Sequence, residues 1–348
     1  MNWAYAHGKP KAKGVIRSQW QDFVVTEELG FELSGEGEHL WVEIEKQGLN
    51  SQDVIRLLAK AAGIPQRQVG HSGLKDKHGV TRQWLSLWLP GKAAPDLSGL
   101  ESEQLRILQV HKHNRKLRPG SHRANGFILK VRELADAEAL AERLALIQAQ
   151  GVPNYFGEQR FGFDNHNLEL FRQLVDGQPM RKNRQSMAIS AARSWLFNQV
   201  VSRRIEQGLH RTVRPGDCLM LAGSRSRFVA KAEELAELQR RLAERDLNLS
   251  APLWGQGEPG AEGEAADWER QALADQAEFM AGLEAIGADM DRRPLWLYPA
   301  DMNWQLAGDE LQLSFSLPSG AFATSVLREL VCYQDHFRAE VKDADTAQ

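Results

Sequence analysis

Cysteine is nearly absent: the 348 residues contain two, Cys218 and Cys332, far apart and outside any Cys-x-x-Cys pattern. That excludes a disulfide scaffold and a thiolate zinc site, and both are expected to be small buried hydrophobes. Long apolar runs are also missing. No stretch approaches the roughly 18 consecutive apolar residues that a membrane-crossing helix needs. The opening MNWAYAHG has no basic segment followed by an apolar run, so no secretory leader is expected and the cytoplasm is the default location. No Walker-type or dinucleotide loop occurs, since Gly35-Glu36-Gly37 lacks the third glycine and the helix that should follow it. No repeat of solenoid or propeller period is present.

What the chain does hold is ordinary globular material. Its length fits about two domains, and 42% hydrophobic with 26% charged residues suffices for buried cores. The net charge of −3 conceals an uneven distribution. From Glu233 to Asp291 fifteen acids face four arginines and no lysine, a local balance of −11 that leaves +8 for the remainder. Within that remainder, His111 to Arg132 carries Lys112, Arg115, Lys116, Arg118, Arg123, Lys130 and Arg132 without one acid. Such a strip suits a phosphate backbone, because neutralised phosphates release counterions and so supply most non-specific nucleic-acid affinity. Taken alone, it reads more readily as a solvated basic face. The histidines near it, His111, His113 and His122, lack the cysteines or carboxylates of a metal set.

Hydrophobic periodicity predicts strands at Phe23–Glu27, Leu40–Glu45, Gln83–Leu89, Gly126–Arg132 and Glu310–Leu317, and helices at Ser51–Ala61, Asp136–Ala149 and from about Ala321. Between Phe163 and Pro299 the pattern turns mostly helical, with an acidic, Gly-rich loop at Trp254–Gly263 expected to have little order. This order predicts an α+β fold, a sheet with helices packed on it, interrupted by an inserted, mostly helical α+β domain. The expected divisions are 1–160 and 303–340 for the sheet domain, 161–302 for the insert and 341–348 for a tail.

The sharpest chemistry lies in Gly73-Leu74-Lys75-Asp76-Lys77-His78-Gly79-Val80-Thr81. Nearby positive charge favours the ionised carboxylate, so Asp76 between two lysines is suited to act as a nucleophile or base at neutral pH. Glycines on both sides permit a tight loop that projects the side chain. On composition alone, a Lys-Asp-Lys loop before a strand reads as solvated surface.

That segment, followed by Gln83-Trp84, resembles the signature of the TruD family of tRNA pseudouridine synthases. The resemblance continues in Asp22–Glu27 with Gly35–His39, in Asn125-Gly126-Phe127, in Val152–Gly162 and in Ala321–Leu330, so it spans essentially the whole chain. It implies a pseudouridine-synthase-like catalytic domain with a mixed or antiparallel sheet, and an inserted domain that closes over RNA. It also implies isomerisation of uridine to pseudouridine, at uridine 13 in the D arm of tRNA, with no cofactor, no obligate protein partner and a monomeric state. The matching catalytic aspartate is Asp76. Phe23, Asn125, Phe127 and Phe322 match substrate-binding positions, and Arg17 matches a basic position that would pair with Asp76. Lys75, Lys77, Lys112, Arg115, Lys116, Arg118 and Arg123 are the candidate RNA contacts. Tyr155, Phe156 and Phe161 could stack on RNA or pack between domains. The rival readings are a non-catalytic RNA-binding or RNA-folding protein and a metal-dependent nuclease. For the latter, the basic half shows no acids at ligand-like spacing.

Overall fold

The computed structural model describes residues 2–337, so the expected tail at 341–348 lies outside the described residues. The chain forms two compact units. Of the described residues one unit, here the sheet unit, comprises Pro10–Gln148, Pro299–Ala323 and those from Leu330; the other, the insert unit, comprises those up to Lys9, Ala149–Tyr298 and Thr324–Glu329. The division falls at 148/149 and 298/299, against expected boundaries of 160/161 and 302/303.

In the sheet unit ten strands are described: β1 (Lys13–Ile16), β2 (Phe23–Glu28), β3 (His39–Gln47), β4 (Val69–His71), β5 (Val80–Trp88), β6 (Leu105–His113), β7 (Ala124–Ala135), β8 (Ala300–Ala307), β9 (Glu310–Pro318) and β10 (Cys332–Asp335). They form one sheet in the order β8-β9-β7-β2-β5-β3-β6, with β4 added on β5 and β1 joining β7 to β10. The β2–β5 and β1–β10 pairings are parallel and the others antiparallel, giving a mixed sheet.

Because side chains alternate along a strand, register decides what shares a face. Phe23, Val25 and Glu27 of β2 lie opposite Leu129, Phe127 and Asn125 of β7. Phe127 and Asn125 in turn face Phe315 and Leu317 of β9. Toward the other edge, Val25 pairs with Thr81, and Thr81 with Lys46. All of these point to the same side. One part of that side is covered by α1 (Ser51–Ala61), whose Val54, Ile55, Leu58 and Ala59 recur at helical spacing and pack on Val42, Ile44, Leu85 and Leu87. Each such fully buried aliphatic side chain contributes about 1.5–3 kcal/mol. This apolar half anchors the sheet, while the half carrying Glu27, Lys46, Thr81 and Asn125 is polar.

The expected strands and the helix at Ser51–Ala61 are present, with ends moved by a few residues. Five strands had not been anticipated: β1, β4, β6, β8 and β10. They are short or, like β6 and β8, largely exposed, so no clean alternation marked them. Cys332, on β10, is only half-buried, with its thiol on the Pro10 carbonyl, whereas Cys218 is buried as expected.

The insert unit contains the helices His166–Val175, Lys182–Glu206, Leu235–Ala243, Gly263–Ala272 and Ala277–Ala285, most of a sixth at Ala323–Leu330, and a four-stranded sheet. Its core includes two buried ion pairs, Arg204 with Asp217 at 2.6 Å and Arg292 with Glu269 at 2.5 Å. The loop Trp254–Gly263 corrects its expectation: Trp254 and Ala261 are buried, and Arg292 donates to the Pro259 carbonyl at 2.6 Å. Composition concealed these anchors, which lie far away in the sequence. Tyr155, Phe156 and Phe161 are buried within this unit, Tyr155 against Trp3 and Phe156 against Phe197. No helix among the described residues is long and apolar enough to cross a membrane.

Candidate active site

Asp76 sits in the loop between β4 and β5, on the polar half of the sheet face. Its backbone is fastened from below. The Lys46 ammonium, on a fully buried side chain, donates to the Asp76 carbonyl at 2.8 Å and to the Leu49 carbonyl at 2.9 Å. Ser51, at the start of α1, accepts the Lys75 backbone N–H at 2.9 Å and donates to Gln83 at 2.7 Å. Earlier in the loop, Ser72 donates to the buried Glu27 carboxylate, which also accepts the Trp84 backbone N–H at 3.0 Å. At the loop's exit Gly79 has φ 150°, and a Cβ there would come within 2.5 Å of the Phe23 carbonyl, so only glycine fits. With its backbone held, the Asp76 side chain stays 43% exposed.

Arg17 follows β1 in the left-handed region, at φ 60°, an uncommon conformation for a residue with a Cβ. Its guanidinium lies 3.8 Å from the Asp76 carboxylate and donates to Asp335 at 2.9 Å, while stacking 4.1 Å from the centre of the Phe23 ring. Asp335 is delivered by β10, whose parallel register sets it opposite Ile16. His78, two residues beyond Asp76, lies against Phe337 at 4.8 Å, and Phe337 stacks on Trp20 at 4.7 Å. Phe23 meets Phe127 edge-on at 6.4 Å, and Phe127 meets Phe315 at 5.4 Å, so an aromatic row runs beside the carboxylate. Asn125, 7% exposed, donates from Nδ2 to His122 Nε2 at 3.1 Å, and its Oδ1 is buried without a hydrogen-bond partner among the described residues. Phe322 follows the turn beyond β9 and is half-buried.

The candidate basic residues separate by environment. Lys75 turns inward: it is 11% exposed and pairs with Glu27 at 2.7 Å. Lys77 is exposed. Lys112, Arg115, Lys116 and Arg118 are exposed at the end of β6 and in the loop after it, with no carboxylate partner among the described residues, although Lys116 donates to the Arg67 carbonyl. Arg123 pairs with Glu28 at 3.2 Å.

Sequence reading had missed Glu27, Lys46, His122 and Asp335. For two of them a signal existed. Glu27 continues the inward series Phe23, Val25, and Lys46 continues Leu40, Val42, Ile44, so each is a charge at a position where alternation demands a buried residue. Burial lowers the Lys46 pKa to about 8, with Lys75 acting in the same direction and Asp76 opposing. Desolvation likewise depresses His78 and His122, helped by Arg17 and Lys77 for His78 and by Lys75 for His122.

Comparison with known proteins bears on the family and the fold. A family model described as tRNA pseudouridine synthase D (TruD) matches residues 2–178 and 177–330. A protein called tRNA pseudouridine synthase D from Aeromonas salmonicida is 50% identical over 350 residues, covering 99% of each chain. Its namesake from Aeromonas hydrophila is 49% identical over 348 residues, again with 99% of each chain covered. That from Shewanella oneidensis is 47% identical over 334 residues, covering 95% of this chain and 89% of its own. A crystal structure from Methanosarcina mazei, described as TruD, superposes with a TM-score of 0.71 at 21% identity, over 94% of this chain and 95% of its own, and supports the fold. The chain belongs to the TruD family of tRNA pseudouridine synthases.

Proposed function

We propose that this protein isomerises uridine to pseudouridine in tRNA, at uridine 13 of the D arm, with Asp76 as the catalytic carboxylate and without a cofactor. The observation that carries the reading is a half-exposed carboxylate on a loop held by the Ser72 hydroxyl, the Lys75 N–H and the Asp76 carbonyl, with Arg17 within 3.8 Å. A uridine stacked in RNA must leave its stack before its base can be detached and rotated. Phe23 and Phe127 supply the apolar surface for the extruded base, Phe322 a further wall, and Asn125 a polar reader. Asp76 acts on the ribose as nucleophile or base while the glycosidic bond breaks and the base rejoins through carbon 5. Arg17, braced by Asp335, keeps that carboxylate oriented. The sheet unit is then the catalytic domain, and the insert unit the domain that contributes to holding the RNA.

Pseudouridine mapping of total tRNA, with and without the protein, tests the reading. A D-arm signal at position 13 that vanishes in its absence is expected; an unchanged map overturns the assigned target.

Lys112, Arg115, Lys116 and Arg118 serve as phosphate contacts, which position RNA without reading its sequence. Replacing all four by Gln is expected to weaken tRNA binding by at least about tenfold and to reduce the slope of log K against log salt by about 3, since each phosphate contact contributes about 0.7–0.9. Filter binding over a salt series checks this. An unchanged slope would return the strip to plain solvated surface. Arg123, already paired with Glu28, adds less.

A further inference from the structure

One polar pair beside the proposed base pocket has more order than contact with a substrate requires. His122 lies in the loop before β7 and is 6% exposed. Its Nε2 stands 3.1 Å from Asn125 Nδ2, and its Nδ1 stands 3.5 Å from Ser319 Oγ in the turn after β9. An amide nitrogen only donates and an amide oxygen only accepts. The contact therefore requires an Nε2 without a hydrogen, which places the imidazole proton on Nδ1, toward Ser319. The other end of the amide, Asn125 Oδ1, is left buried with no hydrogen-bond partner among the described residues. Folding rarely leaves a buried acceptor unsatisfied without a reason.

We infer that His122 is a positioning residue that fixes the orientation of the Asn125 amide, so that its oxygen is kept for a base whose edge presents a donor, as N3–H of uracil does. This deepens the proposed function and rests on it. Cytosine offers an acceptor at N3, which would set two lone pairs against each other. Sites built to hydrogen-bond a substrate group reject analogues lacking it because the buried partner then stays unpaired.

The charged groups around His122 come from two other elements. Lys75 of the Asp76 loop disfavours the imidazolium, while Glu27 of β2 favours it more weakly than burial and Lys75 oppose it. Burial and Lys75 thereby hold the imidazole pKa below its ordinary value of 6.5. Protonation would make Nε2 a donor, forcing the amide to turn over and present its NH2 instead.

The test is single-turnover pseudouridine formation on a tRNA transcript with His122→Phe, His122→Gln, Asn125→Ala and the His122→Phe/Asn125→Ala double variant. His122→Phe and Asn125→Ala are each expected to lose about tenfold to a hundredfold in kcat/KM, the scale of one oriented hydrogen bond in a dry site. The double variant should be no worse than Asn125→Ala alone, because one residue acts through the other. His122→Gln, whose side-chain oxygen can accept from Nδ2, should recover most of the rate. Its rate should also fall less than that of wild type as the pH drops below 6.5, because Gln cannot be protonated there. Full activity in His122→Phe, additive losses in the double variant, or the same fall in rate with pH in His122→Gln as in wild type would each overturn the inference. Ring 15N shifts of His122 in the wild-type protein give a readout independent of activity: Nδ1 protonated and Nε2 bare is expected, and the reverse tautomer would sink the proposal. A wild type that makes no pseudouridine, with that tautomer present, would instead overturn the function on which the proposal rests.

Discussion

Replacing Asp76 by Asn is expected to reduce pseudouridine formation by at least about a thousandfold, since the change removes the only group proposed to act as nucleophile or base. Binding of tRNA should change by no more than about twofold. The two expectations separate because the loop is held through its backbone. Lys46 donates to the carbonyl of residue 76, and Ser51 accepts the N–H of residue 75, so neither bond involves the carboxylate. Arg17 loses its partner at 3.8 Å but keeps Asp335 at 2.9 Å and the face of Phe23, and so stays in place. Asn matches Asp in shape and offers no anionic oxygen. Single-turnover assays paired with filter binding read both quantities. Retained turnover would remove Asp76 from the chemistry. A variant that binds and works as wild type would favour the rival reading of an RNA-binding protein, and loss of binding would show that the carboxylate shapes the RNA site.

The parts of the site that could be read in the sequence are those where chemistry and local pattern coincide. Asp76 stands out through its lysines and glycines, and Phe23, Asn125 and Phe127 through blocks resembling a family. Lys75 shows the limit of such reading. A lysine beside the loop's aspartate looked like an RNA contact, yet the buried Glu27, 48 positions earlier in the chain, draws it inward. Register, which no single segment reveals, brings β2 beside β5 and creates that pair. Asp335 could not be found for the same reason: four residues near the C-terminus become a strand only because β1 is there to pair with them. The sheet's apolar half was legible, since α1 and β3 carry clean helical and alternating patterns. Its polar half was visible only as two exceptions to alternation, Glu27 and Lys46. Those exceptions support the loop that carries Asp76.

Lys46→Met is the sharpest test of that support. The substitution keeps the length of the side chain and its packing between β5 and β6, while the carbonyls of Leu49 and Asp76 lose their donor. Each orphaned carbonyl costs about 1–3 kcal/mol. Removing a buried ammonium gives back a similar amount, so thermal stability near pH 7 should move little. Catalysis should not be spared. A misplacement of about 1 Å at a reacting group costs about a hundredfold, and kcat is expected to fall by that order while tRNA binding holds within about threefold. Alkaline titration adds a second readout with a definite sign. The unfolded chain keeps its lysine proton up to about pH 10.5, whereas folded Lys46 releases its proton at about 8. Between those values the unfolded state binds more protons, so wild-type stability should rise relative to Lys46→Met as pH increases, by at most about 1.4 kcal/mol per pH unit. Denaturant melts of both proteins from pH 7 to pH 10.5 measure the difference. Parallel curves would mean that Lys46 titrates as an ordinary lysine. Unchanged kcat would mean that the Asp76 loop keeps its shape through Ser51 and Glu27 alone.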